Sequence, residues 1–202
     1  MKRVLTFKNY NIADWFSFYR IAISPILLVL IWHDLRLICS WLLLVSYSTD
    51  AIDGFLARKL NIVSARGSQL DSMGDQITLC MGLIGLYCFE TEFIKNNLTL
   101  IIIAFIPYII QMIIAYIKYG KATAFHTYLA KFSAIVQSVF ILWSLFFEPE
   151  YVLFYTMIGI GLLETFEEIA LIFMHSYWVS DIKGIYWVLK RRKGLKGYDK
   201  SS

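Results

Sequence analysis

Along this chain, long apolar runs alternate with short polar breaks, and six of the runs are long enough to be helices that span a bilayer. They fall at about residues 18–32, 37–56, 69–89, 97–117, 129–147 and 151–174. The second and third differ from the rest. They hold the apolar stretches LICSWLLLVSY and ITLCMGLIGLYCF, but their facing ends carry Asp50, Asp53, Asp71 and Asp75. An ionised side chain at the bilayer centre costs about 2.5–3.5 kcal/mol even on the lenient insertion scale, and four like charges brought together cost more. Something must offset that cost.

Composition agrees with a lipid environment. Of 202 residues, 58% are hydrophobic and only 17% charged, with a mean hydropathy of +0.61, which excludes an ordinary soluble domain. The pattern predicts an all-α integral membrane protein, a six-transmembrane-helix bundle folded as a single domain over residues 1–202. About 1–17 reads as an N-terminal interfacial segment and about 175–202 as a basic cytoplasmic tail. The opening MKRVLTFKNYNIADWF lacks the apolar core and small-residue cleavage site of a signal peptide, so the mature chain is expected to start at or near Met1. Cys39, Cys80 and Cys88 lie in apolar runs without metal-ligand spacing and read as packing residues.

Charge sets the expected orientation, because short loops rich in Lys and Arg stay cytoplasmic. With six spans, one side collects Lys2, Arg3, Lys8 and Arg20, then Arg58, Lys59 and Arg66, then Lys118, Lys121 and Lys131, then the basic tail; the other has only Arg36 and Lys95. Both termini and all four aspartates are therefore expected on the cytoplasmic side. Trp15, Trp32, Trp41, Trp178 and Trp187 fall near the expected interfaces, where amphipathic rings anchor. The tail KGIYWVLKRRKGLKGYDK interleaves aromatics with basic residues next to a span, which points to anionic lipid and away from nucleic acid.

Asp50 and Asp53 are three apart, and Asp71 and Asp75 four apart, so on helices each pair shares a face. Helix two runs toward the cytoplasm and helix three runs back, which lets the faces meet. Four converging carboxylates repel one another unless cations sit between them, and all-oxygen ligation suits one or two Mg²⁺ or Mn²⁺ ions that also take substrate phosphate oxygens. Gly54 offers a place for a ligand to approach the backbone, Ala57 keeps that face open, Arg58 adds a donor fork for phosphate, Gly67 allows a tight turn and Ser64 a hydroxyl.

Asp50 to Asp75 reads D-x-x-D-G-x-x-A-R-(x8)-G-x-x-x-D-x-x-x-D, which resembles the complete signature of the CDP-alcohol phosphatidyltransferases. The upstream NIADWFSFYRIAISP is similar to that family's lead into its first helix, with Asn11, Arg20 and Pro25 at matching places and a common Thr replaced around Ser17. The resemblance implies transfer of a phosphatidyl group from CDP-diacylglycerol to a small polar alcohol, releasing CMP. It assigns Asp50, Asp53, Asp71 and Asp75 to two divalent ions, Mg²⁺ or Mn²⁺, and Asp75 also to the role of base. Asp53, Gly54, Ala57, Arg58, Ser64, Gly67 and Asn11 are then expected to hold the CDP part. The implied setting is a bacterial-type inner membrane with the site facing the cytoplasm, and a homodimer is compatible with it.

For the acceptor, IKYGKATAFHTYLAKFSAIVQ places Lys118, Lys121, His126 and Lys131 at expected cytoplasmic ends. AKFSAIVQ is similar to the G-K-x-K-T-x-x-Q element of phosphatidylglycerophosphate synthases, with Lys131 and Gln137 in place but departures at Ala130, Ser133 and Ala134. Lys131, Lys121 and His126 are thus the expected acceptor contacts and glycerol 3-phosphate the first choice, with inositol phosphate, serine and choline as alternatives. Glu164, Glu167 and Glu168 on the last span are expected to pair with Lys131, Lys121 or His126, or to form a structural bridge; left unpaired, they favour a cationic acceptor such as serine. A divalent-cation transporter is the alternative from another class, although an Arg beside the acids works against cation passage.

Overall fold

The computed structural model describes the backbone of residues 12–59 and 65–198, and the side chains among them apart from 12–14, 50, 51, 53–59, 65–69, 71, 72 and 192–198. Among these residues the chain is helical: α1 (Ile12–Trp32), α2 (Arg36–Lys59), α3 (Ala65–Phe89), α4 (Thr91–Asn96), α5 (Leu98–Tyr119), α6 (Tyr128–Phe146), α7 (Tyr151–Met174) and α8 (Ile185–Tyr198). Each expected span has a helix at its place. α1 starts earlier than expected, because nothing in IADWFSF breaks a helix, so residues 12–17 of the expected interfacial segment are helical. α2 and α3 continue through the polar motif instead of stopping short of it.

Three stretches are by themselves long and apolar enough to cross a membrane: Trp15–Trp32, Leu98–Tyr119 and Tyr128–Phe146. α2 and α3 carry the aspartates and α7 its three glutamates, and Met73–Phe89 is a shorter apolar stretch. The environment shows on α5, where Ile102, Ile103, Phe105, Ile106, Ile109 and Ile113 are each about half exposed. Such a continuous apolar face is untenable against water and suits lipid.

The chain divides into two compact units, residues 1–92 with 141–149, and residues 93–140 with 150–202. In the first, α1 packs on α2 and α3, and α2 on α3, around Leu27, Ile31, Cys39, Leu43 and Leu86. Pro25 lies inside α1 and cannot donate to the carbonyl of Ile21; Ser24 Oγ donates to that oxygen instead, at 2.8 Å. α1 ends in a Schellman turn, with Leu35 N donating to Leu30 O (2.9 Å), Asp34 N to Ile31 O (3.1 Å) and Asp34 at φ 55° in the place glycine usually takes. Arg36, one of the two basic residues on the sparsely charged side of the expected topology, pairs with Glu90 at 2.6 Å and donates to the carbonyls of Ser144, Leu145 and Phe147. Ser144 and Leu145 are in the last turn of α6, where carbonyls have no partner within the helix, and Phe147 follows it directly.

In the second unit α5 packs on α7, and two non-helical segments, 120–127 and 175–184, are laced together beside them. Ala124 and Ser180 form a parallel bridge, Asp181 N donates to Ala124 O at 3.1 Å and Ile182 N to Phe125 O at 2.7 Å. Phe125 and Ile182 then pack with Ala115, Leu171 and Ile172 in one core. Gly120 ends α5 in the left-handed conformation, and Thr127 Oγ1 caps α6 by accepting from Ala130 N at 3.0 Å. The tail is therefore built into this unit: 175–184 is a strap and α8 a helix packed on α7. Trp15, Trp32, Trp41 and Trp187 are exposed as interfacial anchors require, but Trp178 is a strap residue, its Nε1 donating to Ala122 O at 3.0 Å.

Candidate active site

The acidic motif straddles the connection between α2 and α3. Asp50, Asp53, Gly54, Ala57 and Arg58 belong to the last ten residues of α2, and Gly67, Asp71 and Asp75 to the first eleven of α3. Each acid pair therefore sits one turn apart on a helix, and the two helices pack on each other. Ser64 and Asn11 lie outside the described residues, as do the side chains of Asp50, Asp53, Gly54, Ala57, Arg58, Gly67 and Asp71.

Asp75 is described, and its surroundings are specific. Arg20 on α1 donates from Nη1 to Asp75 Oδ1 at 2.6 Å and from Nη2 to Ser17 Oγ at 3.3 Å. The Arg20 side chain has no solvent exposure, whereas Asp75 keeps 48% of its own. Gly74 is part of this arrangement, since a Cβ there would stand 3.0 Å from Arg20 Nε and 3.2 Å from Cζ. Arg20, which stands with the cytoplasmic-side charges in the sequence, is thus no loop charge: it is buried by α1–α3 packing and pairs with Asp75. An arginine inside the apolar run FYRIAISPILLVL already demands such a partner, because a buried guanidinium cannot shed its proton. Gly74 carries no such signal on its own.

Among the described residues there is no cluster of three metal-ligating side chains; of the four expected ligands only Asp75 falls within them. The donor set nonetheless fits divalent ions in its chemistry: carboxylates at one-turn spacing on packed helices, with the one described carboxylate both tethered and open to solvent.

The expected acceptor contacts separate by environment. Lys121 Nζ lies 3.6 Å from the centre of the Trp178 ring, a cation–π contact that fastens the strap. Lys118 Nζ donates to Ile172 O at 2.6 Å, beside Tyr119, whose single hydroxyl proton is within reach of both Ile172 O and His175 O. Both lysines serve the structure. His126 is exposed at φ 50°, between the fully buried Phe125 and Thr127. Lys131, in the first turn of α6, is exposed, and among the described residues its ammonium has no hydrogen bond or ion pair.

Of the α7 glutamates, Glu167 and Glu168 take neutral donors, and Glu164 has no hydrogen bond or ion pair among the described residues. Glu168 Oε2 accepts from Gln111 Nε2 and Thr123 Oγ1, each at 2.7 Å, and Glu167 Oε1 accepts from Ile185 N at 3.0 Å. Neutral donors from α5, the 120–127 segment and the start of α8 lie nearer than any lysine, so for Glu167 and Glu168 the expected Glu–Lys network is replaced by amide, hydroxyl and backbone contacts. Gln111, 2% exposed in an otherwise apolar helix, is the sequence signal for this, since a buried amide needs a polar partner.

Comparison with known proteins gives these positions a context. The chain is 29% identical over 96 residues to the CDP-diacylglycerol–glycerol-3-phosphate 3-phosphatidyltransferase of Bacillus subtilis, covering 40% of this chain and 50% of that protein. It is 30% identical over 82 residues to the protein of the same name from Aquifex aeolicus, covering 41% and 46%, and 27% identical over 77 residues to that of Sodalis glossinidius, covering 37% and 42%. The chain thus spans about half the length, or less, of the curated relatives it matches. A family profile, CDP-alcohol phosphatidyltransferase, matches far more of it, residues 10–175, which takes in the acidic motif, Arg20 and the first turn of α6 alike. With most of its 202 residues matched, the chain belongs to the CDP-alcohol phosphatidyltransferase family.

Proposed function

We propose that this protein transfers the phosphatidyl group of CDP-diacylglycerol to the hydroxyl of glycerol 3-phosphate, releasing CMP. The observation that carries the reading is the complete acidic motif lying on packed helices α2 and α3 in a chain of this family. In the transfer, the acceptor oxygen bonds to the phosphorus bearing the diacylglycerol while the bond from that phosphorus to the CMP oxygen breaks. The acceptor proton goes to Asp75, whose carboxylate is open enough to reach a hydroxyl. Asp50, Asp53, Asp71 and Asp75 would hold two Mg²⁺ or Mn²⁺ ions, which supply charge neutralisation on the diphosphate and on departing CMP. Asp53, Gly54, Ala57, Arg58, Ser64, Gly67 and Asn11 bind the cytidine diphosphate part.

The acceptor assignment draws on the names of the relatives and on Lys131, a cation with no internal role among the described residues. His126 is the second acceptor contact in this reading. Lys121, held on Trp178, drops out of that role. The engagement of Glu167 and Glu168 by backbone, amide and hydroxyl donors weakens the motive for a cationic acceptor such as serine, leaving Glu164 alone without such a partner among the described residues. Six spans with both termini cytoplasmic put the acids at the aqueous face where a soluble phosphate ester arrives, while the acyl chains stay in lipid.

The test is CMP release by membranes containing the chain, with CDP-diacylglycerol and each of glycerol 3-phosphate, inositol phosphate, serine and choline. Release is expected with glycerol 3-phosphate and Mg²⁺ or Mn²⁺, and is expected to stop in excess chelator. Equal release in chelator would sink the metal-dependent reading, and preference for serine would sink the acceptor.

A further inference from the structure

A guanidinium is always charged, and taking one out of water costs several kcal/mol unless its partners are well placed. Arg20 has two such partners, Asp75 Oδ1 at 2.6 Å and Ser17 Oγ at 3.3 Å, and it lies against the bare face of Gly74, where a Cβ would stand 3.0–3.3 Å from Nε, Cζ and Nη2. The side chain has no exposure, so its position is set by α1–α3 packing and not by solvent. Asp75 is different. Half of it remains exposed, and an aspartate side chain has two torsions that must be set before its carboxylate points in one direction.

We propose that Arg20 is a positioning residue for Asp75: the guanidinium, clamped between Ser17 and Gly74, fixes one carboxylate oxygen and thereby the rotamer in which Asp75 meets its ligands. The inference rests on the reading that Asp75 serves the metal ions and the acceptor hydroxyl, and adds how its carboxylate is held. Geometry matters here as well as charge, because a lysine would supply the charge on a flexible stem without the planar fork. Gly74 belongs to the device, since any side chain there displaces Arg20 while leaving the ion pair's charges in place.

Three variants of the purified full chain, Arg20→Lys, Gly74→Ala and Asp75→Asn, and the combinations of the first two with the third, test this by Mn²⁺ binding without substrates, followed by the electron paramagnetic resonance of free Mn²⁺, and by transfer kinetics. Arg20→Lys and Gly74→Ala are expected to weaken Mn²⁺ binding and to lower kcat by roughly 10- to 100-fold, as the loss of a residue that orients a ligand does, with KM for glycerol 3-phosphate nearly unchanged. In the Asp75→Asn background the same two substitutions are expected to leave Mn²⁺ binding unaltered. Wild-type Mn²⁺ binding in Arg20→Lys and Gly74→Ala, or an effect of the same size with Asp75 already replaced, would overturn the inference and leave Arg20 a packing residue. Should Arg20→Lys fold poorly, Gly74→Ala decides, because it asks only for a shift of a few tenths of an ångström. A wild-type protein that binds Mn²⁺ and transfers nothing would defeat the proposed function, and the Mn²⁺ arm would still decide the role of Arg20.

Discussion

Lys131→Ala is expected to raise KM for glycerol 3-phosphate by roughly 10- to 100-fold while leaving that for CDP-diacylglycerol nearly unchanged, since a charge-assisted hydrogen bond to phosphate contributes about 1.5–3 kcal/mol. Lys121→Ala is the control, because its ammonium lies over Trp178; it is expected to cost about 0.5–1 kcal/mol of stability and no acceptor affinity. Equal effects of the two on KM would refute the assignment of Lys131. Asp75→Asn is expected to cut the rate by about 10²–10⁴, the worth of a general base, and to retain nucleotide binding, whereas Asp53→Asn is expected to weaken nucleotide and metal together. Full activity of Asp75→Asn would move the proton to another residue. The aspartates are legible in the sequence because their spacing and their cost in a membrane both demand an explanation. The Arg20–Asp75 pair is not, because it joins residues 55 apart through helix packing; for Glu168 the sequence signals only that the Gln111 amide needs a polar partner, and which partner is set by packing.

Helices α2 and α3 follow from the chain's own pattern, but the strap and α8 depend on partners distant in sequence. Glu167 of α7 accepts from Ile185 N at the start of α8, and Gly184 beside it sits at φ 143°, where a Cβ would press on Glu167 Oε1 at 3.0 Å. A residue other than glycine in that conformation costs of order 1–3 kcal/mol. Gly184→Ala is therefore expected to loosen α8 and speed tryptic cleavage at Lys190 and Arg191 in detergent, with Glu167→Gln doing so more weakly; unchanged cleavage in both would show that α8 is held by other contacts. The early start of α1 was open to sequence reasoning, since IADWFSF contains no breaker. α8 was harder to see, because two glycines and a run of like charges disguise a helix whose docking comes from α7.

At the scale of the molecule, composition alone identifies the membrane class, and the number of spans is harder to read because α2, α3 and α7 carry acids that an apolarity scan penalises. The proposed six-span arrangement makes an accessibility prediction. In vesicles with the cytoplasmic face outward, an impermeant maleimide is expected to label Asp181→Cys and Lys200→Cys in a cysteine-free background, and not Glu92→Cys or Glu148→Cys; the reverse pattern would invert the topology and move the aspartates away from the cytoplasm. The central claim is that the acids at the junction of α2 and α3 move a phosphatidyl group onto glycerol 3-phosphate. Its most direct measurement is the passage of radiolabel from glycerol 3-phosphate into organic-soluble lipid by the purified chain in liposomes holding CDP-diacylglycerol and Mg²⁺. Label is expected in lipid with the wild-type chain and to fall by about 10²–10⁴ with Asp75→Asn, whereas no labelled lipid from a folded wild-type chain, or equal labelling by Asp75→Asn, would contradict it.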